Sequence, residues 1–242
     1  MAKVLAVDPN SSNPILGDKL DELAWAAVWG NFSAGEALGQ IAGTAADVVT
    51  YSGELNKYVL EKTPEQLREA NHSRLLKFCS DDFAVRQFLT RGGFSDTLRA
   101  SLAESLEALK PQDGCNELVE LGATTRGEVE ARYLIDALKL IRKQAPDVGG
   151  GTLFVAGAAV AYRTPTGKLI LPLPVDYLSW SHDIGGFFDR PEFVDVDKIV
   201  LIGGEASMTA QRNLTNRGWS LMLRAPYEGA PKYAQDVAFS TQ

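Results

Sequence analysis

The spacing of apolar residues changes once along the chain, near residue 148. Before this point, apolar residues recur every three or four positions, as they do on the buried face of a helix. Beyond it, they alternate with polar residues or form short continuous runs, which is typical of strands. We therefore predict an α+β protein, with an all-α helical domain over residues 1–148 and a small mixed α/β domain over residues 149–242.

Helix-start signals place several helices in the first half. The segment Thr63–Gln66 combines an N-cap threonine, a proline at the first helical position and a glutamine that can close a capping box. The segment Thr125–Glu128 follows the same logic and precedes a broad apolar face. Ser80 and Ser95 are the predicted N-caps of two shorter helices that form a hairpin.

The second half begins with a predicted β-hairpin. Leu153–Tyr162 is predicted as one strand, and Thr164–Gly167 has turn chemistry before a second strand over Lys168–Leu173. Because Pro172 lacks a backbone N–H, we expect the second strand to lie at an edge of the sheet or to leave it near Leu171.

A compact β-α-β unit is predicted further along the chain. Lys198–Ile202 is the first strand, Ser207 is the N-cap of a helix that Gly218 ends, and Trp219–Leu223 is the last strand. From Pro226 onward the sequence has no periodicity, so we expect an extended C-terminal arm.

The composition is that of a soluble globular protein, with 45% apolar and 23% charged residues. The net charge of −7 repels a phosphate backbone, which argues against nucleic-acid binding. We also predict no transmembrane segment, because no continuous span of about 20 apolar residues occurs. The first ten residues are too short and too polar for a signal peptide, so a cytoplasmic location is the default expectation.

The two cysteines could bind a metal, remain as thiols or form a disulfide, and a disulfide would also indicate the compartment. Cys79 and Cys115, with His72 and His182, cannot build a zinc site of the usual spacing, so we predict no metal and no cofactor. The predicted helical hairpin leads away from Cys79 and back to Cys115, which would allow a disulfide. We expect unpaired thiols. A disulfide, together with a removed leader, would instead place the protein in the periplasm or outside the cell.

Two features of the first half suggest contact surfaces. Trp25 and Trp29 share one face of a predicted amphipathic helix, where packing in the core is the first expectation and binding of a partner the second. Gly35, Gly39 and Gly43 form a row of small residues, which favours close packing within the helical domain. Self-association through this row and a broken, loop-rich segment are the alternatives.

A candidate ligand site lies at the predicted strand-to-helix junction. Gly203 and Gly204 follow a strand, and the free N–H groups at the start of the next helix could bind an anion. Glu205 would repel a phosphate there, however, and neither glycine-rich nucleotide motif is present. A tight turn with Ser207 as N-cap explains these residues more simply.

A second candidate segment runs from Asp176 to Asp183 and contains acid, hydroxyl and imidazole groups. The strained G-x-S-x-G turn that exposes a hydrolase serine is absent. Capping of a helix over Ile184–Phe188 by Ser181 or Asp183 is the simpler account, and it leaves His182 as a first-turn residue. Asp189 and Glu192 are expected in an exposed loop that supplies its own counter-charge.

These observations favour a non-enzymatic binding or assembly protein that acts through contacts with a protein partner or with a second copy of itself. The alternative is a small-molecule-binding protein or enzyme with a pocket at the strand ends, near Gly203–Ser207 and Asp176–Asp183. In that case His182 and Glu205 should line one concave pocket. We assign no catalytic residue.

Overall fold

The computed structural model describes residues 62–91, 93–144, 149–194, 196–228 and 230. Within these ranges, five helices precede the first strand, and two sheets with two further helices follow. The predicted α+β class, with helices mostly in the first half, is therefore confirmed. No helix in the described ranges has the length and apolar content needed to cross a bilayer.

The helices of the first half are α1 (Pro64–Leu75), α2 (Asp82–Thr90), α3 (Asp96–Leu109), α4 (Cys115–Thr124) and α5 (Glu128–Gln144). The predicted capping box of α1 is present: the Thr63 hydroxyl accepts the Gln66 N–H at 3.3 Å, and the Gln66 side chain accepts the Thr63 N–H at 3.0 Å. The Ser95 hydroxyl caps α3 by accepting the Leu98 N–H at 3.2 Å, also as predicted.

Two predicted N-caps are wrong. Asp81 rather than Ser80 caps α2, because its carboxylate lies one residue closer to the helix and accepts the Phe83 N–H at 2.9 Å. Thr125 ends α4 instead of starting α5. Its hydroxyl donates to the Gly122 carbonyl at 2.7 Å and accepts the Gly93 N–H at 2.8 Å.

The elements of the second half are β1 (Thr152–Ala156), β2 (Ala159–Arg163), β3 (Leu169–Leu173), β4 (Tyr177–Leu178), α6 (His182–Phe188), β5 (Lys198–Ile202), β6 (Glu205–Ala206), α7 (Met208–Asn216) and β7 (Trp219–Met222). The main sheet has five strands in the order β1-β2-β3-β5-β7, where β1–β3 are joined by antiparallel pairing and β3, β5 and β7 by parallel pairing. Two short strands, β4 and β6, form a separate parallel pair. The predicted β-α-β unit is confirmed as β5, α7 and β7.

The predicted first strand is in fact two strands. A tight turn at Gly157 separates β1 from β2, and the positive φ of 61° at this glycine fits the first central position of a type II′ turn. The turn predicted over Thr164–Gly167 is confirmed, since it joins β2 to β3 and the Thr164 N–H donates to the Lys168 carbonyl at 2.9 Å.

The expected edge position of the proline-containing strand is wrong, because β3 is the central strand of five. The Leu169 N–H and the Leu173 carbonyl both bond on the β5 side, so the nitrogen of Pro172 faces the opposite side. On that side the antiparallel pairing with β2 ends at Ile170, and Pro172 cannot donate a further ladder hydrogen bond. The strand nevertheless stays paired with β5 as far as Leu173.

The sheet lies between two helical layers. One face packs on the helices of the first half, where Leu138 and Ile141 of α5 share a core with Tyr162 and Ile170. The other face packs on α6 and α7 through a second core. The change from helices to strands falls at the predicted boundary, and the two halves share one core across it. Their division into two domains stays a prediction.

Cys79 and Cys115 form a disulfide, so the expectation of unpaired thiols is wrong. The hairpin of α2 and α3 brings the chain back to Cys79, so the Cα atoms of the two cysteines lie 4.8 Å apart. Both residues are buried. The bridge ties the segment between α1 and α2 to the start of α4.

Candidate functional site

A cavity of about 650 Å³ opens between the start of α5, the β1–β2 turn and α6. Its helical wall is formed by Val129, Tyr133 and Leu134, which project from neighbouring positions of α5. Leu134 also belongs to the core, whereas Val129 is 79% exposed at the mouth. The apolar face predicted for this helix is thus only partly buried in the core. Its remaining apolar side chains line the cavity.

The opposite wall is aromatic. Phe187 and Phe188 line the cavity from α6, a helix whose start is fixed by the Ser181 hydroxyl as it accepts the Ile184 N–H at 3.2 Å. The Phe188 ring stacks on Trp180 with centroids 5.9 Å apart. Because the neighbouring rings fix these side chains, this wall is formed before any ligand arrives.

The floor consists of small and aliphatic side chains. Ala158 and Ala159 lie at the β1–β2 turn. Leu173 and Leu178 are the last residues of β3 and β4, and Val175 lies between these two strands. The two alanines contribute little volume, which leaves the space between the walls open. Carboxyl ends of strands are a common location for ligand sites in α/β sheets.

The polar groups of the cavity gather at its rim. Arg126 and Glu130 are both exposed there, and the Glu130 carboxylate accepts the backbone N–H of Arg126 at 2.7 Å. Burial raises the pKa of Tyr133 to about 12, so this phenol stays neutral near pH 7. Thr124 and Thr125 complete the polar side of the lining. The arrangement offers apolar contact over most of its surface and hydrogen bonds at one end.

The structure brings together two of the predicted ligand segments. The Glu205 N–H donates to the Asp176 carbonyl at 2.9 Å, where β6 pairs with β4. A Cβ at Gly204 would collide with the same carbonyl, so a glycine is needed here for the two backbone segments to approach each other this closely. The Glu205 carboxylate is ion-paired with Arg224 at 2.5 Å. The Ser207 hydroxyl caps α7 by accepting the Ala210 N–H at 3.1 Å, as predicted.

The other predicted ligand residues differ in exposure. Gly203 is buried, whereas Asp176, His182 and Asp183 lie at the surface, the last two in the first turn of α6. None of the seven predicted ligand residues is among the described residues that line the apolar cavity. The expectation that His182 and Glu205 share one pocket stays a prediction.

The two carboxylates after α6 both have a counter-charge, but only that of Glu192 comes from the same segment, as expected. The Asp189 carboxylate accepts two hydrogen bonds from Arg217, at 2.7 and 3.0 Å, and these hold the pKa of Asp189 below its ordinary value. Glu192 pairs with Arg190 at 2.7 Å. In the part of the chain that the structure describes, no three His, Cys, Asp or Glu residues form a group that could hold a metal ion.

The predicted contact surfaces of the first half lie outside the described residues. These surfaces are the pair Trp25 and Trp29 and the glycine row at Gly35, Gly39 and Gly43. The predicted C-terminal arm lies mostly outside them as well. These interpretations stay predictions.

The sequence contained one signal for the cavity that the predictions did not use. Val129 and Tyr133 extend the apolar face of α5 beyond Leu134, and Phe187 with Phe188 places two adjacent aromatic residues on a short helix. Surplus apolar surface on two elements indicates that they face each other or a shared ligand.

Comparisons with protein-family models, curated proteins and solved structures found no match to this chain.

Proposed function

We propose that this chain is a binding protein that holds an apolar small molecule in the cavity between α5 and α6. The observation that carries the proposal is the cavity itself, about 650 Å³ in volume and lined mainly by apolar side chains. Ligand pockets in proteins span roughly 300–1,000 Å³ and combine such linings with a few polar groups. The predicted pocket at the strand ends is related to it, because Leu178 lies within the segment from Asp176 to Asp183.

The physical driving force is removal of apolar surface from water. Water in this cavity meets walls such as Val129, Leu173 and Phe188, which offer it no hydrogen bonds. An apolar ligand that displaces this water gains about 25 cal/mol for each Å² of apolar surface buried. Because the aromatic wall is held by its own packing, little of that gain is lost to ordering the site.

A filled-cavity variant tests the proposal. Ala158 lies exposed at the β1–β2 turn and lines the cavity, so Ala158→Phe should occupy the space with little strain on the fold. Ala70→Phe adds the same side chain on α1, away from the cavity. We expect a panel of apolar compounds to raise the melting temperature of the full chain and of Ala70→Phe, with a smaller rise or none in Ala158→Phe. Equal shifts in all three proteins would contradict the proposal.

As a second candidate we propose self-association, one of the two kinds of protein contact that the sequence favoured. Two large apolar side chains near β6 support it: Tyr177, which is 60% exposed and pairs with Glu205, and Met208, which is 72% exposed. Light scattering across concentration should detect the assembly, and Tyr177→Ser with Met208→Ser should weaken it. The Trp25→Ala and Trp29→Ala variants test the surface predicted in the first half. A monomer at every concentration would remove this candidate.

We further propose that the protein works in an oxidising compartment, in the periplasm or outside the cell. The disulfide between Cys79 and Cys115 supports this, because such bridges persist mainly where thiols are not kept reduced. Alkylation of thiols during rapid lysis of the native source measures the state of the pair. Two alkylated cysteines in the freshly lysed protein would contradict the proposal and favour the cytoplasm.

A further inference from the structure

The ligand class follows from how the cavity distributes aromatic and charged groups. We propose, on the basis of the function proposed above, that the cavity takes an uncharged amphiphile with an aromatic body, whose neutral polar end meets Arg126 and Glu130 at the rim.

The aromatic body is argued from the walls. Phe187 and Phe188 stand on one side, with ring centroids 5.2 Å apart in an edge-to-face arrangement, and Tyr133 stands on the other. Aromatic rings prefer ring partners in stacked or edge-to-face geometry, which contributes beyond the surface buried. A planar ligand inserted between α5 and α6 therefore gains contacts that a flexible aliphatic chain does not.

The absence of charge on the ligand is argued from the rim. Arg126 lies just before α5 and Glu130 in its first turn, and the hydrogen bond from the Arg126 N–H holds the carboxylate of Glu130 beside the arginine backbone. An ion of either sign entering here meets one opposite and one like charge, so the pair gives it little net attraction. The net charge of −7 on the chain further opposes an anion.

Among the described residues that line the deeper part of the cavity, none carries a charge that could compensate a charged ligand. The lining beyond the rim consists of aliphatic and aromatic side chains together with the Tyr133 phenol. Burying a charge without a paired partner is costly, whereas a neutral hydroxyl, amine or carbonyl can be satisfied by the Arg126 donors and the Glu130 acceptor. The rim thus recognises a neutral polar group.

Two fluorescent probes with the same skeleton separate the possibilities. N-phenyl-1-naphthylamine is uncharged, and 1-anilinonaphthalene-8-sulfonate adds only a sulfonate to it. We expect the full chain to bind the uncharged probe at least about tenfold more tightly, a ratio that one buried, poorly compensated charge readily exceeds. Binding should be lost in Ala158→Phe and retained in Ala70→Phe.

Rim variants give an internal check on the charge argument. Glu130→Gln should strengthen binding of the sulfonate probe several-fold and Arg126→Gln should weaken it, because each variant removes one of the two opposite charges of the rim. If the sulfonate probe binds as tightly as the uncharged one, and the Ala158→Phe variant abolishes both, the ligand class is wrong and the binding function stands. If neither probe binds and no compound of the thermal panel is sensitive to Ala158→Phe, both proposals are wrong.

Discussion

The sulfur atoms of Cys79 and Cys115, 36 positions apart in the chain, are joined in a disulfide that holds the segment between α1 and α2 against the start of α4. Both cysteines are buried among apolar side chains of the helical layer. The bridge therefore constrains the helices on which α5, and with it one wall of the cavity, is packed.

Loss of this bridge should lower stability substantially. For a loop of this length, the entropy of the unfolded chain predicts about 2–4 kcal/mol of stabilisation from the disulfide. We expect reductant to lower the urea midpoint of the native chain by a corresponding amount, and Cys79→Ala with Cys115→Ala to reproduce the effect. The double variant should itself be insensitive to reductant. An unchanged midpoint in the reduced native chain would contradict this prediction.

Features set by local chemistry were predictable from the sequence. The hydroxyl of Ser95 and that of Ser207 each meet an N–H three residues ahead, and Gly218 adopts the positive φ of 76° that a helix-ending glycine favours. Such interactions depend on a few neighbouring residues. The error at Ser80 arose because Asp81 beside it is an equally good cap.

Features set by long-range pairing were not predictable in the same way. The central position of β3 depends on which side of the strand the nitrogen of Pro172 faces, and the disulfide depends on the angle between two helices. The turn at Gly157 lay within an apolar run of ten residues, longer than the usual strand, and this length was the available signal. The cavity is a gap between α5 and α6, so no single residue of either helix reveals it.

A buried arginine should be essential to the helical layer. The Arg99 guanidinium donates to the Phe88 carbonyl at 3.1 Å and to the Arg91 carbonyl at 3.2 Å, and it contacts Asp96 at 2.8 Å. Arg99→Met leaves these acceptors without their donor, so we expect a loss of about 2–4 kcal/mol in the free energy of unfolding. The same change at the exposed Arg212 is the control and should have little effect. Equal behaviour of the two variants in urea denaturation would refute the argument.

Acid sensitivity should come in part from Glu107. Its carboxylate accepts hydrogen bonds from Arg74, at 2.6 and 3.2 Å, and from Lys77 at 3.1 Å, and these lower the pKa of Glu107 below its ordinary value of 4.5. The contacts therefore stabilise the fold fully above the unfolded pKa, and this contribution is lost as the pH falls through the lowered folded pKa. We expect Glu107→Gln to be less stable than the native chain at pH 7 and to lose less stability on acidification.

Urea denaturation from about pH 6 to pH 3 measures the free energy of unfolding of both proteins, and the exposed Glu120→Gln is the control. Parallel pH profiles for the native chain and Glu107→Gln would contradict the prediction.

The crossing of the chain at Gly151 should depend on one phenol. The Tyr162 hydroxyl accepts the Gly151 N–H at 2.8 Å, and both residues are buried. Tyr162→Phe leaves that N–H without its acceptor, which should lower the free energy of unfolding by about 1–3 kcal/mol. Tyr177→Phe at the surface should lower it by less than about 0.5 kcal/mol.

Gly151→Ala should destabilise the fold at least as much as Tyr162→Phe, because a Cβ at this position would collide with the Arg163 carbonyl and the Tyr162 hydroxyl. Thermal and urea denaturation of the three variants measure these differences. A Tyr162→Phe variant as stable as Tyr177→Phe would show that the hydrogen bond contributes nothing, and a stable Gly151→Ala variant would show that the two chain segments can separate without cost.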